Sequence, residues 1–120
     1  MTPKGITEEM ARIVLVLQEK LDEAPQLTVN VANAQRDYRV AVATEIVRLR
    51  LNGESVSLAE IIAKGNPEVA DLKVANVIAD GERQICLKSL GVNMSIADTL
   101  RSLLKASKDE DISAEKNFYD

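Results

Sequence analysis

Apolar side chains recur along most of this chain at spacings of three and four residues, the period of an α-helix rather than a strand. Met10, Ile13/Val14, Leu17 and Leu21 predict a first helix over Thr7–Glu23, after a lead-in of residues 1–6. Thr7 is its expected N-cap, and Glu8 and Glu9 suit the positive end of the helix dipole. Pro25 is expected to stop it, because proline disfavours helical geometry in the residue before it. Val31, Ala34, Tyr38, Ala41/Val42, Glu45/Ile46 and Leu49 then form a second stripe, widened by Val40, Val47 and Leu51. They predict a helix over Thr28–Asn52, although Val29-Asn30-Val31 is locally strand-like. Gly53 falls where a left-handed C′ residue closes a helix.

Ser57-Leu58-Ala59-Glu60 has the capping-box pattern and predicts a short helix through Lys64, closed by Gly65. Asn66-Pro67-Glu68 restarts the chain with an N-cap, a proline at the first helical position and an acid in the first turn. Leu72, Ala79, Cys86, Asn93 and Leu100 lie seven apart, and so do Ile78, Ile85, Val92 and Thr99. Both rows pass through Gly91, where a mid-helix glycine costs only about 1 kcal/mol. The expectation is one helix from Pro67 to about Lys105, roughly 60 Å long at ~1.5 Å per residue. A helix of that length outruns what one small chain can cover, which points to self-association.

Composition fits this reading. The chain has 120 residues, 46% hydrophobic and 28% charged, so it is globular and able to bury one modest core. Tyr38, Phe118 and Tyr119 are its aromatics, so that core is aliphatic. The expected fold is all-α: a helical hairpin or small bundle with a long C-terminal helix, assembled as an oligomer. One helical domain is expected over 1–106, followed by a flexible acidic tail over 107–120. The tail sets Lys108 and Lys116 against Asp109, Glu110, Asp111, Glu115 and Asp120, a net −3 out of −4 for the chain. The near-neutral body argues against bulk attachment to nucleic acid or anionic membrane. A single cysteine, Cys86, suits a reducing compartment, and no apolar run reaches membrane-spanning length. With no signal peptide read at its start, the chain is expected in the cytoplasm.

Candidate chemistry is sparse. The chain has no histidine, which removes His-based triads and imidazole metal sites. Cys86 falls in an apolar stripe and reads as a small core residue. Glu19 with Asp22, and Glu68 with Asp71, each place two acids one turn apart, as Mg²⁺-binding all-α nucleotide hydrolases do. Both pairs read more simply as solvated helix faces, so no metal, cofactor or catalytic residue is expected. The protein is read as no enzyme. Arg36, Arg39, Arg48 and Arg50, with Tyr38 beside them, form the candidate interaction site, since arginine and tyrosine are enriched at protein interfaces. The same residues can hold single-stranded nucleic acid.

Arg36-Asp37-Tyr38-Arg39, Leu49-Arg50 before Gly53, Lys64-Gly65-Asn66, Glu68-Val69-Ala70-Asp71-Leu72, Cys86 and Ser102-Leu103-Leu104 resemble a group of short helical proteins of bacteriophages and prophages. The likeness covers about residues 34–104 and carries no catalytic element. Gly81 and Gly91 depart from it, since the last helix of that group tends to lack glycine. The resemblance implies an early-gene setting near recombination and single-strand-binding functions, in a host-cell cytoplasm. The expected role is therefore a non-enzymatic, self-associating interaction protein acting on recombination or replication proteins or on a host protein. The alternatives are a single-stranded nucleic-acid binder, an inhibitor of a host defence enzyme and, more remotely, a magnesium-dependent nucleotide hydrolase. Expected partners are a second copy of the chain and a phage or host protein, with nucleic acid as a weaker candidate and no membrane.

Overall fold

A computed structural model describes the backbone of residues 1–119 and the side chains of residues 1–111. The fold is all-α, with helices α1 (Pro3–Leu51), α2 (Val56–Gly65) and α3 (Pro67–Tyr119) and no strand among the described residues.

Helix α1 begins earlier than Thr7 and does not stop at Pro25. Thr2 is the cap: its Oγ1 accepts from the Gly5 amide at 3.0 Å, and Pro3 occupies the first helical position, where a missing N–H costs nothing. The Thr7 hydroxyl instead donates back to the Pro3 carbonyl at 3.0 Å. Pro25 sits inside the helix because the apolar stripe keeps its phase across it: Leu17, Ala24, Val31 and Tyr38 follow at sevens, each at least half-buried. Packing on both sides outweighs the lost hydrogen bond and ring clash, a penalty of about 3 kcal/mol. Val29-Asn30-Val31, strand-like in isolation, is helical for the same reason.

The C-terminus of α1 closes as expected. Gly53 has φ +92°. The Gly53 amide donates to the Arg50 carbonyl and the Glu54 amide to the Leu49 carbonyl, both at 3.1 Å, the paired bonds of a Schellman motif. The next cap is Ser55, two residues ahead of the expected Ser57: it is extended at ψ 159° and its Oγ accepts from the Leu58 amide. The capping box with Glu60 is therefore not used. Asn66 serves two helices. Its amide donates to the Ala63 carbonyl at the end of α2, and its Oδ1 accepts from the Glu68 and Val69 amides at the start of α3. Helix α3 runs unbroken through Gly81 and Gly91 and continues past Lys105 to Tyr119. The side chains of Phe118 and Tyr119 lie outside the described residues.

The chain forms two compact units, Met1–Glu23 with Cys86–Asp120, and Ala24–Ile85. In the first, α1 meets α3 antiparallel, with Ile6, Ile13 and Leu100 buried and Met10, Leu17, Ala97 and Leu104 packed around them. Cys86 is buried there, its thiol donating to the Lys20 carbonyl at 3.4 Å, which gives it the expected packing role. In the second unit, Leu49 packs on Ala59 and Ala63 with Ile46 beside them. The Arg83 Nε donates to the Thr28 hydroxyl at 3.2 Å, holding α3 to α1. Two small clusters thus stand where one core was expected, because long helices distribute their apolar positions along their length. No polar side chain is buried among the described residues.

These backbone roles predict opposite signs for three substitutions, read from urea midpoints of helical circular dichroism at one fixed chain concentration. Pro25→Ala is expected to stabilise by up to about 3 kcal/mol. Gly91→Ala is expected to gain about 1 kcal/mol, since nothing lies within 4 Å of the added Cβ. Gly53→Ala is expected to lose roughly 1–2 kcal/mol at its left-handed φ.

Candidate functional site

Tyr38 and Arg39 lie together on the rim of a groove in the second unit. Val42, Ala43 and Ile46 of α1 supply an apolar floor, and Lys64 of α2 and Lys73 of α3 complete the rim. The hollow is about 430 Å³ and open to solvent. One face of α1 supplies the floor because residues 39, 42, 43 and 46 are one turn apart. The loop closed by Gly53 turns the chain back, and α2 then offers Lys64 from its last turn, where a cation suits the negative end of the dipole. The Lys73 Nζ stands 5.1 Å from the centroid of the Tyr38 ring, a cation–π distance that fixes the aromatic against α3.

The other three arginines of the expected set are engaged elsewhere. Arg36 pairs with its neighbour Asp37 at 3.2 Å. Arg48 grips Glu45 through Nε, at 3.1 and 3.2 Å to the two carboxylate oxygens, and also through Nη2. The Arg50 Nη1 donates to the Glu54 carbonyl at 3.0 Å, tying down the turn after α1. Arg39, Lys64 and Lys73 make no ion pair among the described residues, and no carboxylate lines their groove. An adjoining hollow shares Lys73 with Gln35, Asn76, Val77 and Asp80, and Asp80 there accepts from Gln84 at 2.7 Å.

Lys64 and Lys73 are not among the candidate interaction residues read from the sequence. Lys64 enters there only in the Lys64-Gly65-Asn66 stretch of the resemblance and Lys73 in no motif, and only the turn back through α2 brings them to Tyr38. Among the described residues no group of three or more histidine, cysteine or acidic side chains is placed to hold a metal ion. Glu68 donates its backbone amide to the Asn66 side chain and stands in the first turn of α3, beside the helix dipole. No helix among the described residues is long and apolar enough to cross a membrane. No family model, curated protein or solved structure matches the chain.

Two carboxylates among the described residues have altered acidity. The Arg48 guanidinium holds Glu45 below its ordinary value by hydrogen bonding, and Arg12 does the same to Glu9. A carboxylate depressed in the folded state contributes stability above its unfolded pKa and loses it as pH falls through the folded value. The thermal midpoint is therefore expected to drop on acidification below the ordinary glutamate range, with no matching change toward alkaline pH. A Glu9→Gln/Glu45→Gln variant should show a flatter acid limb in a pH series of melts. The arginine of each pair is exposed, so solvent screening keeps the difference small.

Proposed function

We propose that the chain is a non-enzymatic, self-associating helical interaction protein, encoded by a phage or prophage and working in the host-cell cytoplasm. It presents apolar and cationic surfaces to a second copy and to recombination, replication or host proteins. One observation carries the self-association: α2 is inverted. Ala59 and Ala63 are wholly buried, while Leu58, Ile61 and Ile62, on the opposite side of the helix, are left 44, 69 and 39% exposed. A helix that hides its alanines and displays its branched aliphatics presents a second apolar face. Leu51, at the end of α1, is exposed as well. Contiguous apolar patches of this kind mark interaction sites more often than free surface. The phage setting rests on the sequence resemblance over residues 34–104.

A single-stranded nucleic-acid binder remains the second reading, because Tyr38 stands among three unpaired cations. It is the weaker one: Arg36 and Arg48 are matched to carboxylates and Arg50 to a carbonyl.

Sedimentation velocity across a concentration series tests self-association. Full burial of an isoleucine side chain is worth about 1.5–3 kcal/mol. Ile61→Glu/Ile62→Glu is therefore expected to weaken assembly at least tenfold while keeping the wild-type helical signal. A wild-type chain that sediments as a monomer at every concentration would overturn the reading. So would an assembly indifferent to the double substitution.

A further inference from the structure

The groove of Tyr38, Arg39, Lys64 and Lys73 combines two chemistries that one occupant must satisfy. Its rim carries three cations with no ion pair among the described residues, and its floor of Val42, Ala43 and Ile46 is apolar. Asp37 and Glu45 of α1 are held by Arg36 and Arg48, and Asp80, which lines the adjoining hollow with Lys73, accepts from Gln84. An occupant must therefore bring several carboxylates together with apolar side chains. The chain carries one such segment. Residues 107–120 hold five acids against two lysines, together with Ile112, Phe118 and Tyr119. Asp109, Glu110 and Asp111 are consecutive and exposed. No other stretch of the sequence unites that excess of acid with aromatic residues.

We propose that this groove receives the acidic segment 107–120 of a second copy of the chain, its carboxylates meeting Arg39, Lys64 and Lys73 and its apolar side chains meeting Val42, Ala43 and Ile46. The inference rests on the self-association reading and names a contact for it beyond the α2 face. Two copies that exchange segments satisfy both grooves in a closed pair. Exposed charge pairs are screened over about 10 Å at 0.1 M salt, so the contact weakens as salt rises. Polyanions compete for the same rim, which leaves single-stranded nucleic acid as the rival occupant.

The experiment uses the full-length chain and a fluorescently labelled peptide of residues 106–120, read by anisotropy. The peptide is expected to bind in low salt and to lose at least tenfold in affinity on Lys64→Glu/Lys73→Glu. A peptide with Asp109, Glu110 and Asp111 changed to Lys should bind that variant better than it binds wild type. The milder Lys64→Gln/Lys73→Gln pair should fall between, and circular dichroism checks that each variant keeps its helices. Equal binding to wild type and to the charge-reversed chain would overturn the proposal. So would a labelled oligothymidylate that binds the groove more tightly than the peptide and loses its binding on the same substitutions. Failure of this contact is distinguishable from failure of self-association. A chain that assembles in sedimentation but ignores the peptide refutes the groove contact alone, whereas a chain that binds the peptide yet stays monomeric at every concentration refutes self-association and, with it, the exchange between copies.

Discussion

A helix laid against a single neighbour can hide one stripe of its surface, and the features of this molecule follow from that constraint. In the unit formed by Met1–Glu23 and Cys86–Asp120, the hidden stripe is Ile6, Ile13 and Leu100, with smaller contributions around them. In the unit Ala24–Ile85, Leu49 meets two alanines. Ala59 and Ala63 let α2 approach closely, and close approach turns its bulkier residues outward. The sequence is rich in aliphatics, but the geometry gives few of them an inside. Val14, Leu15, Val40, Val47, Ile78, Ile85 and Val92 are all more than half exposed. Each represents transfer free energy that the folded chain on its own leaves unrealised, and the proposed self-association would recover part of it.

Electrostatics divides the charged residues into two groups. Pairs within one helix, such as Glu9 with Arg12 and Glu45 with Arg48, are local, each with its arginine exposed, and they contribute little beyond helix stability. Arg39, Lys64 and Lys73 come from three different helices and converge without a counter-ion among the described residues. Convergence of like charge around an apolar floor works against stability, and a ligand of opposite charge relieves it. Lys73 holds Tyr38 against α3, and the proposed acidic occupant meets these cations with charge of opposite sign.

The helical class and much of the capping were legible in the sequence because they rest on local chemistry. Gly53, Asn66 and Pro67 act as their residue types dictate, and the sevenfold row Leu72–Leu100 carries α3 across Gly91. The breaks were less legible. Pro25 is a strong local stop, yet Leu17, Ala24, Val31 and Tyr38 keep one phase across it, and the longer-range pattern prevails over the local penalty. The second cap was misplaced because Ser55 and Ser57 both suit the role, and Glu60 made the later one look better supported. The groove was only half visible. Tyr38 and Arg39 adjoin in sequence, but Lys64 and Lys73 reach them only through the turn at Gly53 and the reversal at Asn66. The outward face of α2 was hidden as well, since periodicity locates a stripe without saying which residues of a short apolar helix face inward.

The central claim is that this chain depends on a second surface to complete its burial. The most direct measurement is the thermal midpoint of the helical circular dichroism signal as a function of chain concentration. An assembly that binds the folded state raises the midpoint with concentration by mass action. The account predicts a steady rise in midpoint over a hundredfold range of concentration. A midpoint that stays constant over that range would show a chain stable on its own core, and would contradict it.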